Sequence, residues 1–249
     1  MRRHLLIPGL TVLALTQTPG AFAGTEFDIS ADCGAGCQAA FEGAVEDISA
    51  ALNYKALAPA EATGLLGIGI GAFMTYTPVE NDDAWKQLTG SNVDFVGMAG
   101  VSVAKGLPFG IDVGAFYTAV PDTSVKAYGA EIRYAILEGG IAEPALAVRG
   151  AYTGTSGIDD FDYEAYSLDV SLSKGFTFLT PYIGAGYVWA TATPSGSVTE
   201  APLNLSEVEV DKSRIYAGLR IAFIPFELTP QYERQGDNSS YSLRFGFSF

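Results

Sequence analysis

The sequence predicts an all-β fold: an antiparallel transmembrane β-barrel of about ten strands, preceded by a short N-terminal amphipathic helix. Three observations predict it: apolar and polar residues alternate with a period of two after residue 64, short turns alternate with longer acidic loops, and the chain opens with an export-like segment. Hydrophobic residues make up 48% of the chain. Beyond the opening segment, however, no run approaches the roughly 18 apolar residues of a membrane-spanning helix. The apolar content therefore indicates a large soluble core or a membrane barrel.

The opening segment, residues 1–23, has the features of a secretory signal peptide. Arg2 and Arg3 form a basic start, residues 5–15 are mostly apolar, and Ala21-Phe22-Ala23 is a small-x-small cleavage site. The apolar run is too short to span a bilayer. We therefore expect cleavage after Ala23 and export of the remaining chain; the alternative is a buried N-terminal helix.

Residues 24–63 do not alternate and form a separate predicted segment. Phe41, Val45, Ile48 and Leu52 recur every three or four residues, which predicts one amphipathic helix. We expect the segment to cap the periplasmic mouth of the barrel or to plug its lumen. The two cysteines of the CGAGC motif, Cys33 and Cys37, are expected to form a disulfide in an oxidising compartment, with free thiols or a metal pair as alternatives.

The barrel itself is predicted over residues 64–249, and its last strand shows the alternation most clearly. One face of that strand carries Tyr241, Leu243, Phe245, Phe247 and Phe249, and the other carries only serine, arginine and glycine. Similar alternation predicts strands near 65–78, 92–104, 109–120, 124–137, 144–154, 164–174, 179–189, 214–223 and 226–233. A soluble β-sandwich is the alternative, but its polar face would be rich in Lys, Glu and Thr. Here that face is rich in Gly, Ala, Ser and Tyr, which indicates a confined lumen.

The connections between the predicted strands alternate in length. The short turns lie at 105–110, 137–144, 173–177 and 223–227. The other connections, at 79–91, 120–124, 154–162, 193–211 and 234–240, are longer on the whole and more acidic, with 120–124 as a short exception. Bacterial outer-membrane barrels have short periplasmic turns and longer external loops. The pattern therefore predicts an outer-membrane barrel whose C-terminus lies in the periplasm.

The predicted lumen carries charges of both signs. Its candidate network consists of Asp112, Glu131, Arg133, Arg149, Asp169, Arg214, Arg220, Glu227, Glu233 and Arg244. Buried charges need partners, so we expect ion pairs between neighbouring strands. A ring of a single sign would have indicated an ion filter, whereas a mixed network indicates a filled or narrow interior.

Glycine is frequent on the predicted inner face, with Gly67, Gly69 and Gly71 on the first strand alone. Such a smooth wall lets another backbone approach closely. It also suits strand curvature and a tight interior. Both interpretations of the glycines stay open at this point.

The composition excludes several kinds of chemistry. The one histidine, His4, lies in the signal peptide, so the exported chain cannot build Ser-His-Asp or Cys-His sites. With 28 acidic residues against 14 basic ones, nucleic-acid binding is disfavoured. Asp159, Asp160, Asp162 and Glu164 offer hard oxygens and form a weak candidate Ca²⁺ site. We expect no cofactor and no enzymatic activity.

Several stretches resemble one family of proteins. They are YKALAPAEATGLLG (54–67), KGLPFGIDVGAFYTAVP (105–121), KAYGAEIRYAILEGG (126–140), SLSKGFTFLTPYIGAG (171–186) and the closing strand. Together they resemble a family of uncharacterised proteobacterial outer-membrane barrel proteins. The resemblance implies a barrel behind an N-terminal helical region, whose last strand, with its terminal aromatic residue, is read by the barrel-assembly machinery. It implies no substrate and no catalytic residue.

The sequence therefore leaves two functions in view. A small passive channel or transporter of small solutes ranks first, and a structural or surface-interaction barrel with a filled lumen is the alternative. The expected partners are outer-membrane lipid and lipopolysaccharide.

Overall fold

The computed structural model of the chain describes residues 27–30, 32–140 and 143–248. The predicted signal peptide and Phe249 lie outside the described residues. The helices are α1 (Cys37–Leu52) and α2 (Asp82–Thr89), and the strands are β1 (Ile68–Pro78), β2 (Phe95–Gly106), β3 (Ile111–Ala119), β4 (Lys126–Glu138), β5 (Ala145–Ser156), β6 (Phe161–Ser173), β7 (Leu179–Pro194), β8 (Val208–Phe223), β9 (Phe226–Gln235) and β10 (Asn238–Ser248).

The strands close into a single antiparallel barrel in which each strand pairs with its neighbours in the sequence. The last strand closes the cylinder against the first, with Gly69 opposite Ser248 and Tyr76 opposite Tyr241. Closure leaves no open edge, so the backbone groups of every strand find partners within the sheet. The predicted fold, a ten-stranded antiparallel barrel behind an N-terminal helix, is confirmed.

The outer surface of the barrel is apolar. On β10, Tyr241 and Phe245 are about half exposed, whereas Ser242 and Arg244 between them are buried. The same alternation runs along β6, where Leu168 and Val170 face outward. Side chains of a strand point alternately to its two faces, so one sequence pattern makes an apolar exterior and a polar lumen. In the part of the chain that the structure describes, neither helix is long and apolar enough to cross a membrane.

The barrel has two distinct ends. We call the end that carries the β1–β2 connection and residues 195–207 the loop end, and the end that carries residues 107–110 and 224–225 the turn end. Two predicted loops are shorter than expected. The loop predicted at 193–211 spans only residues 195–207, because β7 extends to Pro194 and β8 begins at Val208. The loop predicted at 234–240 is reduced to the two residues between β9 and β10. The inward residues of the β7 and β8 extensions, Ala190, Ala192, Val208 and Val210, are themselves apolar or small, which hid the alternation.

The third difference is α2, which lies within the predicted loop 79–91. It ends at Gly90, whose φ of 73° is the left-handed conformation that glycine adopts most readily at a helix C-terminus. Two turns of helix are too short to produce a clear period in the sequence.

Candidate functional site

The N-terminal segment threads the lumen from the loop end to the turn end. At the loop end the backbone N–H of Ile29 donates to Asp160, 2.6 Å away, and that of Ser30 donates to the carbonyl of Leu88. At the turn end the N–H of Thr63 donates to Asp112 on β3. The structure places α1 in the loop half of the lumen.

The loop half of the lumen is filled by an apolar core around α1. Phe41, Val45 and Ile48 are each at most 1% exposed. They belong to one cluster with Val125, just before β4, and with inward residues of the strands, among them Val96, Met98, Phe161, Tyr163, Ala165, Val188, Ala190, Ala192, Val208 and Val210. The rings of Phe41 and Phe161 meet edge to face at 5.3 Å. This half of the interior is packed like the core of a soluble protein.

A buried carboxylate, Asp47, joins α1 to the rim of the barrel. It accepts hydrogen bonds from the backbone N–H groups of Glu80 and Asn81 and from the indole N–H of Trp85, at 2.9 Å. The amide of Asn238 on β10 donates to the same carboxylate. A charge that is fully buried needs such donors, so Asp47 fixes α1 to both α2 and the start of β10.

The loop end is covered by α2 and by the residues that precede α1. The indole of Trp85 is buried and lies 5.3 Å from the ring of Phe27. Cys33 and Cys37 form a disulfide, with Cα atoms 5.4 Å apart. Gln87 on α2 donates to the Cys33 carbonyl at 3.2 Å. The residues that precede α1 thus contact α2, and together they cover the filled lumen.

All ten predicted lumen charges face the interior, and the structure pairs each of them. The ion pairs are Arg133 with Asp112, Arg149 with Glu131, Arg214 with Asp169 and Glu233, and Arg244 with Glu227; Arg220 pairs with Glu61, and Glu233 also pairs with Lys55. The cations and carboxylates nearly balance, so the lumen has no dominant sign of charge.

The most buried of these pairs tie the N-terminal segment to β8 and β9. The Lys55 ammonium lies 2.8 Å from Glu233 and also donates to the Ala50 carbonyl. Arg214 donates to the Tyr54 carbonyl at 2.7 Å while it pairs with Asp169. Charged hydrogen bonds of this kind hold a backbone in one place, so residues 53–55 are fixed at mid-height.

Sequence reasoning missed Asp47, Lys55 and Glu61, all of which lie on the N-terminal segment. Each faces a strand that is far away in the sequence, so no local period reveals it. One signal was available: a lysine and a glutamate, Lys55 and Glu61, stand in the otherwise apolar stretch YKALAPAEA, and buried charges of that kind need partners.

The inward glycines make room for large side chains of the adjacent strand. A Cβ on Gly184 would lie 2.2 Å from the ring of Tyr216, its partner across the strands. A Cβ on Gly218 would lie 2.3 Å from the ring of Tyr182. Both distances are far below van der Waals contact, so these glycines are needed for close packing within the wall.

A cavity of about 420 Å³ remains in the turn half of the lumen. Its apolar lining includes Leu57, Phe73 and Phe116, and its polar lining includes Arg220 and Arg244. The rim includes the fully exposed Ile224 in the β8–β9 turn, so the cavity opens at the turn end.

The candidate calcium residues do not converge. Asp162 and Glu164 point outward from β6, and Asp160 is engaged by the backbone of Ile29. Across the described ranges, no cluster of three or more His, Cys, Asp or Glu side chains could hold a metal ion.

Comparisons with known proteins return barrels at low identity. No family model and no curated protein matches the chain. Among solved structures, the N-terminal β-barrel domain of Pseudomonas aeruginosa OprF is 16% identical, with 75% of this chain and 99% of that one covered and a TM-score of 0.36. Ail of Yersinia pestis is 15% identical over 74% and 99%, with a TM-score of 0.37, and Omp33 of Acinetobacter baumannii is 10% identical over 75% and 100%, with a TM-score of 0.31. The barrel is therefore established by the strand pairing of this chain itself.

Proposed function

We propose that this chain is an outer-membrane barrel with a structural or surface-interaction role, whose lumen is closed by its own N-terminal segment. The predicted signal peptide, the apolar exterior and the closed sheet support the location. In that orientation the turn end faces the periplasm. Lipid then covers the exterior, and lipopolysaccharide surrounds the acidic loop end.

The observation that carries the proposal is the apolar core around α1. A passive channel needs a water-filled path, and Phe41, Val45 and Ile48 occupy that path throughout the loop half. Moving α1 would expose these side chains to water at about 25 cal/mol per Å². The geometry thus favours the filled barrel over the small passive channel that the sequence ranked first.

The proposed interaction surface is the covered loop end. It combines α2, residues 32–36 and residues 195–207, and it is held rigid from below by Asp47 and the apolar core. A rigid surface loses little conformational entropy when a partner binds.

Ion conductance tests the closed lumen. The mature chain, reconstituted in planar bilayers, is expected to give no steady current and no swelling of sugar-loaded liposomes. A variant lacking residues 24–55 is expected to conduct, because the deletion removes α1. Heat-modifiable migration on gels checks that both barrels fold. Steady current and solute flux through the intact chain would overturn the proposal in favour of the channel.

A further inference from the structure

The cavity exists because the N-terminal segment lies to one side of the turn half. Its backbone contacts run along β3 to β6: the carbonyl of Pro59 accepts from Arg133 at 2.6 Å, that of Ala58 accepts from Arg149, and the N–H of Ala60 donates to Ser173. Toward the turn end, the opposite wall on β1 and β2 offers mainly small residues, among them Gly69, Ser102 and Ala104. Nothing in the described chain fills the gap between segment and wall.

The inner part of the cavity is aromatic. Phe73 and Phe116 meet at 6.4 Å, nearly edge to face, and Tyr54 packs on Phe116 at 5.4 Å. Leu57 belongs to the same cluster. Rings arranged in this way suit a further aromatic ring, which gains from edge-to-face contact beyond the area it buries.

The outer part of the cavity carries charges of both signs on the barrel side. Arg244 and Arg220 both line it, and Glu227 on β9 balances Arg244. The partner of Arg220 is Glu61, which belongs to the threaded segment rather than to the wall. Both side chains of that pair keep part of their surface exposed, at 25% and 32%. Arg220 Nε, moreover, is buried and has no hydrogen-bond partner among the described residues.

We propose that this cavity binds a small aromatic carboxylate. Its ring lies against Phe73 and Phe116, and its carboxylate takes the place beside Arg220 that Glu61 occupies here, where it also reaches the unused Nε. The volume lies in the range of about 300–1,000 Å³ that is usual for small-molecule sites, and an apolar lining with a few placed charges is their usual chemistry. Arginine suits carboxylates because its donors match both oxygens. This site is independent of the proposed function, since it requires no path through the loop half.

The experiment titrates 2-naphthoate into the mature protein in lipid nanodiscs by calorimetry, with empty nanodiscs subtracted. Saturable binding at one site is expected, and neutral 2-naphthamide is expected to bind at least about tenfold more weakly, because it cannot form the charged hydrogen bonds. No heat beyond that of empty nanodiscs, or equal binding of the amide, would overturn the proposal.

Two glycine variants locate the site. A Cβ on Gly69 would meet only the end of Arg244, at 3.8 Å, so Gly69→Val fits the fold and reduces the cavity that Gly69 lines. Gly150→Val is the matched control, because Gly150 lies on a barrel strand outside the cavity lining and its Cβ would meet only Ile132 at 3.9 Å. We expect Gly69→Val to weaken naphthoate binding at least about tenfold, as a clash in a filled pocket does, and Gly150→Val to leave it unchanged. Equal affinities in the two variants would place the ligand elsewhere and overturn the site.

Two charge variants identify the anion position. Glu61→Gln frees Arg220 and is expected to tighten naphthoate binding, whereas Arg220→Gln is expected to weaken it at least about tenfold. Binding of the amide should change little in either variant. If Glu61→Gln weakens binding of the carboxylate, Glu61 does not compete for this place and the proposal is wrong.

Discussion

The two halves of the lumen are filled by different chemistry. In the loop half, α1 packs through Phe41, Val45 and Ile48 against a continuous apolar core. In the turn half, residues 53–63 pack only in small separate apolar clusters and are held to the strands by ion pairs and by hydrogen bonds from arginines to backbone carbonyls. Apolar packing fills space in all directions, whereas a hydrogen bond fixes only two atoms. The difference explains why the cavity lies in the turn half.

The same comparison separates closure from binding. The loop half blocks the path through the barrel, and the turn half leaves room for a ligand beside Arg220. Two lysine–glutamate pairs allow a second comparison, between a buried and an exposed contact of the N-terminal segment with the barrel. Lys55 lies 2.8 Å from Glu233, and Lys212 lies 2.9 Å from Glu46. They match in chemistry and distance and differ in burial.

The largest expected effect comes from the apolar core. Phe41→Ala removes a ring that is 1% exposed and leaves a cavity, which typically costs about 3–5 kcal/mol. The substitution weakens the packing of α1 against the barrel. We therefore expect the amides of α1 to exchange hydrogen faster, while those of the barrel strands keep their protection. Hydrogen exchange with mass spectrometry, on protein in nanodiscs, measures both regions at once.

The control for this substitution is Phe178→Ala. Phe178 lies in the β6–β7 turn and is 56% exposed, so its loss should leave the exchange of α1 unchanged. Equal protection of α1 in the wild-type chain and in Phe41→Ala would mean that the apolar core does not hold the helix, and the contrast between the two halves would fail.

Much of the barrel was predictable from the sequence, and the reason is its period. Ile70, Met74 and Leu243 face outward, because outward and inward residues alternate along a strand by geometry. The inward positions of Ala192 and Val210 could not be recognised, because an apolar residue inside the barrel looks the same as one outside it. Their burial depends on α1, whose docking is a long-range contact.

The site shows the same limit. The strand charges were predictable as inward, since each alternates with apolar neighbours, and their need for partners followed from burial. The ion-pair partner of a strand charge was not predictable where that partner lies on the N-terminal segment. Glu61 reaches Arg220 on β8 only because the segment threads the barrel, and no local pattern encodes that path.

The buried lysine pair gives the second prediction. Lys55→Met leaves Glu233 buried with Asn53 and the more distant Arg214, 3.7 Å away, as its remaining partners. Breaking a buried pair costs about 3–5 kcal/mol, and these partners place the effect near the lower limit. The double variant Lys55→Met with Glu233→Gln should recover most of the loss. Urea unfolding in lipid vesicles measures both; a double variant as unstable as the single one would show that the charge of Glu233 is not the cause.

The exposed lysine pair gives the smallest expected effect and completes the comparison. Lys212 and Glu46 keep 35% and 41% of their side chains exposed, so water already solvates both charges. Glu46→Gln is therefore expected to lower the free energy of opening of α1, measured by hydrogen exchange, by about 0.2–1 kcal/mol. The expected loss of stability for Lys55→Met is about 3 kcal/mol. Raising the salt to about 1 M shortens the screening length to about 3 Å and should remove the difference between wild type and Glu46→Gln. A loss as large as that of Lys55→Met, or one that salt does not reduce, would mean that burial is not what separates the two pairs. The polar contacts of the N-terminal segment would then contribute equally at every depth of the lumen.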